Sequence, residues 1–398
     1  MKFEEIRAGA SQNDIMTSPV KIAIIGVGGG GSNAVDNMIQ SGVKVNLFMA
    51  VNTDRQALRV SKATKRIQIG SNVTKGFGAG ANPEKGRLSA EECREVISEQ
   101  IKDMDLVFIT AGMGGGTGTG AAPVIAEIAH GLGKLTIAFV TTPFKFEGEV
   151  RMRNALAGIT KLREYIDSII IIPNEKLKVA AKNMTAQAAF KYADDVLRQG
   201  VQATTDLIAY PGRINVDFAD IRTVLENGGD AIIGIGKASG ANRATESVKR
   251  AVNNPILGTS IEGATHAIVN IEGRDVTMDE TDRAAALIKD ACAADANIIY
   301  GTAIVPSLQD DMQVTIIATG FNKPTNARPP QPQPQQSSLL TSQPAPYPQP
   351  QPAPYPQPQP QPQPTPSPRP VIGSGFVSLD DEADRAWLSR LNNGKKQQ

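Results

Sequence analysis

The sequence is short of most features that mark specialised protein classes. Its 398 residues include two cysteines, Cys93 and Cys292. Two are too few for a disulfide framework, and such scarcity fits a reducing compartment. There are two histidines, His130 and His266, and no G-x-S-x-G motif, so a conventional hydrolase is not expected. Each histidine reads as a helix-surface or strand-packing residue. Scattered Cys and His residues give no zinc signature. No run of 18 apolar residues occurs, and the opening MKFEEIRAGASQNDIM has no apolar stretch of signal-peptide type. Charge of one sign is missing too: 41 Lys plus Arg stand against 40 Asp plus Glu. A dominant nucleic-acid surface would tilt that balance strongly basic, so nucleic acid is not an expected partner. The expectation is a cytoplasmic protein without direct membrane insertion. Its length allows two or three domains.

Proline is abundant in one place only. Nineteen of the 27 prolines lie between Pro324 and Pro370, a stretch without Gly, Asp or Glu, and the octad APYPQPQP occurs there twice in succession. Such a segment cannot bury a core and reads as a disordered, polyproline-II-rich linker, 323–370, of at most about 145 Å. SH3-type docking is the alternative, supported by composition alone. A short tail follows, 371–398. In SLDDEADRAWLSRLNN, acidic residues including Asp380 lead. Trp387, the single tryptophan, then shares one helical face with Leu388 and Leu391. A lone Trp outside any domain core reads as a partner-binding anchor.

The folded body is expected after a flexible N-terminal segment, 1–20. Buried strands are read at KIAIIG (21–26), VNLFMAV (45–51), DLVFIT (105–110), LTIAFVT (135–141) and SIIII (168–172), with helical stretches between them. Strand, glycine loop and helix in repetition give an α/β fold of Rossmann type with a parallel sheet, over 21–183. A long central helix is expected over 184–209, ended by Pro211 and Gly212. A second α/β domain should occupy 210–322, with strands at 267–271, 297–302 and 313–318 and helices at 218–227 and 279–294.

Two glycine loops carry the chemistry. The first, GVGGGGSN (26–33), follows the first strand and fits G-x-G-x-x-G, and Asp54 stands about where a dinucleotide fold places a ribose-binding acid. By itself it supports an NAD(P)-dependent oxidoreductase. Its physics reports only phosphate: glycines let backbone N–H groups approach phosphate oxygens at a helix N-terminus. The second, GMGGGTGTG (112–120), follows DLVFIT and should open a helix at Ala121, with Pro123 in its first turn. A dinucleotide fold has no role for it. Neither loop contains G-K-[ST], which excludes a P-loop NTPase.

GGGTGTG resembles the signature loop of the tubulin/FtsZ family, whose FtsZ members are the cell-division GTPases of bacteria. GVGGGGSN, AVNTD, GAGANP, TPFKFEGEVR, IPNEKL and NVDFADIRTV add to the resemblance, in order, over about 21–322. It implies a polymerising GTPase that binds GTP or GDP with Mg²⁺. Phosphate would be held by Gly29, Gly30, Gly31, Ser32, Asn33, Gly116, Thr117 and Gly118. Ala79, Gly80 and Ala81 would lie near the γ-phosphate. Glu147 and Arg151 would reach the ribose and nearby phosphate; without the family they read as a surface ion pair. Asn174, Phe190 and Asp194 would contact guanine. Spacing alone leaves Asp194 or Asp195 open, and Phe190 could equally pack the core.

Asn215, Asp217 and Asp220 match the family's co-catalytic loop, which acts on the nucleotide of the next subunit in a head-to-tail homopolymer. Without the family, the two acids read as a helix cap. No metal ligand is expected from protein side chains. The family's tail peptide binds membrane-tethering and regulatory division proteins. Here it departs from the usual pattern: Arg385 and Ala386 stand where a proline is common, and Trp387 replaces a phenylalanine. The resemblance implies a division ring at mid-cell. A non-catalytic nucleotide-binding scaffold is a further alternative, which the presence of both acids disfavours.

Overall fold

The computed structural model describes residues 20–177, 184–209, 216–253 and 260–321. Asn215 and the proline-rich linker and tail, with Asp380, Trp387, Leu388 and Leu391, lie outside the described residues.

The first part of the chain runs β1 (Ile22–Val27), α1 (Gly28–Gln40), β2 (Leu47–Asn52), α2 (Arg55–Val60), β3 (Lys65–Gln68), α3 (Pro83–Glu91), α4 (Arg94–Ile101), β4 (Leu106–Gly112), α5 (Thr117–Gly131), β5 (Leu135–Thr142), α6 (Glu149–Leu162), β6 (Ser168–Pro173) and α7 (Asn174–Leu177). The central helix α8 (Ala186–Ala209) follows. Then come α9 (Phe218–Leu225), β7 (Gly229–Asp230), β8 (Ile232–Ser239), α10 (Arg243–Val252), β9 (His266–Gly273), α11 (Met278–Ala291), β10 (Asn297–Ile304) and β11 (Asp311–Thr319).

Strands β1 to β7 form one sheet in the order β3-β2-β1-β4-β5-β6-β7, every pair parallel. Parallel sheets are covered on both faces, and β1 and β5 are accordingly buried at every residue. Strand alternation separates the two cores. Ile22 and Ile24 face α1 and α8, while Ala23, Ile25 and Val27 face the side covered by α4, α5 and α6. The order also sets the site. The chain builds outward from β1 to β3, then restarts at β4 and builds the other way. Neighbours β1 and β4 are therefore the topological switch point, where such sheets open a crevice at the strands' carboxyl ends.

The second sheet has the order β10-β9-β11-β8, with β11 antiparallel to both neighbours. One face packs on α10 and α11. The other contributes Ile233, Ile268 and Ile317 to the same core as α8's Val196, Leu197 and Val201 and the first sheet's Phe139 and Ile170. Helix α8, about 36 Å long at 1.5 Å per residue, therefore has a sheet on either side. Gly200 lets it approach β5: a Cβ there would stand 2.7 Å from the Phe139 ring.

Arg243, at the start of α10, ties down the second sheet's helical face. Its guanidinium donates to Glu280 at 2.7 and 3.1 Å and pairs with Asp275 at 3.0 Å. It also donates to the carbonyls of Asp310 and Asp275. Glu280 in turn completes a capping box with Thr277 at the head of α11. These contacts hold the Glu280 carboxyl down at about 2, with the Arg243 hydrogen bond as the leading cause.

Candidate functional site

The two glycine loops emerge from the adjacent strands β1 and β4 and meet over the switch point. Neither is a free loop. α1 already begins at Gly28 and α5 at Thr117, so the glycines form first helical turns. This corrects the expected helix start at Ala121: Pro123 lies inside α5, and the first i to i−4 bond is already made by Gly120 N–H to Gly116 C=O at 3.0 Å. Small residues let the helix wind early, and the chain passes Pro123 without that donor.

Several glycines are there for close packing. A Cβ on Gly26 would collide with the Gly31 carbonyl, and one on Gly31 with the Thr110 carbonyl. At Gly118 it would stand 2.6 Å from the Gly112 carbonyl, and at Gly120 it would strike the Pro83 carbonyl. Gly28, at φ +72°, would place a Cβ 2.8 Å from Gly118 N. The two loops thus interlock, backbone against backbone. Gly29 and Gly115 are different: a Cβ at either meets nothing within 4 Å. A direct test follows. Gly31→Ala should lose about 1–3 kcal/mol of stability through overpacking, read by urea unfolding. Gly29→Ala should leave the unfolding midpoint in place and weaken nucleotide binding alone.

Above this interlock lies a cavity of about 430 Å³, within the range of small-molecule sites. Gly29, Gly30 and Asn33 line it from α1; Gly116, Thr117 and Gly118 line it from α5. The Thr117 hydroxyl sits 2.7 Å from that of buried Thr53. Glu147 from the β5–α6 connection and Arg151 from the first turn of α6 line the cavity, and they also form the expected ion pair at 2.6 Å. Glu147 is fixed by accepting the Phe144 amide at 2.9 Å.

Asn174, Phe190 and Asp194 complete the wall. Asn174 is buried, and its Oδ1 has no hydrogen-bond partner. A buried carbonyl oxygen without a donor is costly, and a donating ligand would satisfy it. Phe190 is 42% exposed, so it is not a core residue of α8. It meets Phe144 edge to face at 5.2 Å, leaving a ring at the cavity wall. Burial, with a smaller contribution from the charge of Asp195, pushes the Asp194 carboxyl up to about 7. Asp195 faces elsewhere, accepting from Asn37 of α1 at 2.8 Å.

Other expected residues lie around the cavity. Gly31 and Ser32 are buried and are not among its lining residues, and the Ser32 hydroxyl has no hydrogen-bond partner. Ala79 packs on the second loop, 2.7 Å from a Cβ built at Gly116. Gly80 and Ala81 follow, both at φ +58°. For alanine that is strained backbone, of the kind that gathers in ligand loops. Asp54 caps α2 by accepting from Gln56 and Ala57 N–H through Oδ1, and it is not among the residues that line the cavity. Sequence reasoning missed Met113, Thr141 and Pro143, which also line the cavity. Only their place at the carboxyl ends of β4 and β5 could have marked them.

Asp217 and Asp220 do not line the cavity. They stand at the head of α9 in a reciprocal capping box. The Asp220 amide donates to Asp217 at 2.8 Å, and the Asp217 amide to Asp220 at 3.2 Å. Each carboxylate uses one oxygen in the box, and Asp217 is exposed. The capping reading is thus met in the structure, with an oxygen of each acid left over. His130 stands in the last turn of α5, and His266 Nδ1 lies 3.0 Å from the Thr265 hydroxyl.

The GTPase domain of the tubulin/FtsZ family matches residues 21–182, and the C-terminal domain of the FtsZ family matches 229–322. An FtsZ solved as an empty dimer from M. jannaschii is 43% identical, with a TM-score of 0.73 over 77% of this chain and 90% of that one. The chain belongs to the tubulin/FtsZ family. A mutant FtsZ from the same organism matches at 44% identity and a TM-score of 0.72, over 76% of this chain and 91% of its own. CetZ2 from Haloferax volcanii, at 20% identity and a TM-score of 0.67 over 76% and 94%, shares the fold. Tubulin/FtsZ proteins are GTPases, so the cavity belongs to a chain that binds and hydrolyses GTP. Family membership removes the NAD(P) reading. Among the described residues no helix is long and apolar enough to cross a membrane. Nor does any group of three or more His, Cys, Asp or Glu side chains there suit a metal ion.

Proposed function

We propose that the chain is a cytoskeletal GTPase that assembles head to tail, and that its filaments form the division ring at mid-cell in the cytoplasm. The observation that supports this is the separation of parts. The cavity and its glycine turns sit at one set of strand ends, while Asp217 and Asp220 lie outside that cavity, at the head of α9. A nucleotide on one surface and acids on another make a heterologous contact, which repeats into an open filament unless rotation closes it. One FtsZ relative was solved as a dimer, and CetZ2 as a protofilament with GTPγS, which favours self-association.

In this reading the glycine turns bind phosphate through backbone N–H groups, aided by the helix N-termini. Ser32, Asn33 and Thr117 add polar contacts, and Ala79, Gly80 and Ala81 close over the γ-phosphate. Glu147 and Arg151 hold the ribose side. Phe190 stacks on guanine, Asn174 Oδ1 accepts from it, and Asp194 accepts its N1–H and N2–H. From the neighbouring subunit, Asp217 and Asp220, with Asn215, orient the water that attacks the γ-phosphate. Mg²⁺ would enter on the phosphates rather than in a cage of protein ligands, and would neutralise their charge. The tail, through Asp380, Trp387, Leu388 and Leu391, would hold the polymer to membrane-tethering and regulatory division proteins.

The test is phosphate release from GTP, with ATP as control, across protein concentrations. A rate per subunit that rises past a threshold concentration supports shared sites. A rate constant down to high dilution would place the acids within one chain and overturn the reading.

Asp194 adds a pH signature. Its pKa near 7 means that free protein below pH 7 carries a protonated carboxyl, whereas guanine needs the ionised acceptor. GDP affinity should therefore rise by up to about tenfold per pH unit below 7 and level off above it. Titration calorimetry from pH 5.5 to 8.5 reads this. Asp194→Asn should bind weakly and lose that component of the pH dependence.

A further inference from the structure

Two adjacent carboxylates, Asp194 and Asp195, sit on α8 where a base would enter. Neighbouring helix positions differ by about 100° in direction, so the rotation of α8 decides which acid faces the cavity. Among the described residues, one side-chain hydrogen bond joins α8 to another element. Asn37 Nδ2 donates to Asp195 Oδ1 at 2.8 Å, across from α1 to α8. Arg198, one turn on, stands 3.8 Å from the same oxygen, too far for a hydrogen bond. Its Nη1 donates instead to Gln202 at 2.6 Å. Asn37 is therefore the hydrogen-bond donor that holds Asp195. It is itself well placed: α1 carries Asn33, which lines the cavity, one turn before Asn37.

We propose that Asn37 is a positioning residue: by holding the Asp195 carboxylate against α1, it keeps that acid off the base and leaves Asp194 to meet it. This rests on the reading that Asp194 meets guanine. The bond also joins the helix that begins with the phosphate turn to the helix that carries Phe190 and Asp194, so the two ends of a nucleotide meet elements whose relative setting Asn37 helps to fix. Without the bond, the Asp195 carboxylate is released from α1 and competes with Asp194 for the base, so the choice between the two acids is lost.

The experiment compares GDP with IDP, which lacks the 2-amino group, on the full chain by titration calorimetry. One hydrogen bond to a charged group corresponds to about a tenfold preference or more, so the wild type should prefer GDP by that margin. In Asn37→Ala the GDP preference should fall toward unity, with IDP affinity changed less than about threefold. A double variant, Asn37→Asp with Asp195→Asn, exchanges donor and acceptor and should restore the preference. Equal losses of GDP and IDP affinity in Asn37→Ala would show a merely structural role and overturn the proposal, as would an unchanged preference. Failure of the double variant to recover the preference would also count against it. A wild type that does not distinguish GDP from IDP would overturn the reading of Asp194 and the proposal together.

Discussion

Asp217→Asn should lower GTP turnover by about 10²- to 10⁴-fold while leaving the unfolding midpoint and GTP affinity near wild type. The choice of asparagine matters because Asp217 has a second task, accepting the Asp220 amide at 2.8 Å to cap α9. Asparagine caps a helix about as well as aspartate, so this variant keeps the cap and removes the charge. Asp217→Ala removes both and should cost about 1 kcal/mol of stability as well. The pair of variants separates the two readings the acids have carried since the sequence. If the acids only cap, Asp217→Asn will turn over GTP like the wild type. Mixing gives the second half of the test. Asp217→Ala retains its cavity, and Asp194→Asn retains its acids. Combined, they should hydrolyse GTP faster than the sum of the two alone, because acids of one subunit act on the nucleotide of another. No gain on mixing would mean that each chain must supply both parts.

Arg243→Met should cost about 3–5 kcal/mol, read as a fall in the urea midpoint. The methionine keeps most of the stem but leaves Glu280 and Asp275 facing each other without their cation. The Asp310 and Asp275 carbonyls lose their donor as well. The effect should depend on acidity in a defined direction. The folded pKa of Glu280, about 2, lies below its unfolded value. Its contribution is therefore fully present above about pH 4.5 and is lost as pH falls toward 2. Wild type and variant should thus converge in stability in strong acid. If the gap between them stays constant from pH 7 to pH 2.5, the ion pair is not what Arg243 supplies.

How much of this was legible in the residues depended on what each segment buries. β1, β4, β5 and β6 are buried on both faces, and β4, β5 and β6 end in glycine, threonine and proline, so their runs stood out within two residues of their observed ends. The central helix α8 was read almost to its ends. β3 (KRIQ) is a four-residue edge strand with an exposed first half, and nothing in it signals a strand. β8 was missed for a different reason. Its sequence, IIGIGKAS, is broken by Gly234 and Gly236, which look like loop residues. Both are there for contact: a Cβ on Gly234 would strike the Ala251 carbonyl of α10, and one on Gly236 the Ser247 carbonyl. A glycine that admits another element's backbone leaves no periodic trace. The cavity divided in the same way. The glycine turns announced themselves, whereas Thr141 and Pro143 are ordinary residues made special by standing at the end of β5. Between Asp194 and Asp195 the sequence offered no preference, because the difference is one of direction on α8: Asp194 lines the cavity, whereas Asp195 accepts from Asn37 of α1, a residue far away in the chain.

The core that passes through α8 bears on how this protein can be taken apart. Two recognisable units, 21–182 and 229–322, suggest a natural cut between them. No clean cut exists there. Val196, Leu197 and Val201 share one apolar cluster with Phe139 on one side and with Ile233, Ile268 and Ile317 on the other. Whichever fragment loses α8 bares an oily sheet face to water, and a bare sheet face invites aggregation. What resembles a connector in a linear map is a wall shared by two rooms. Dissection, domain exchange or split reporters built on this chain should therefore keep residues 184–209 with both halves in reach.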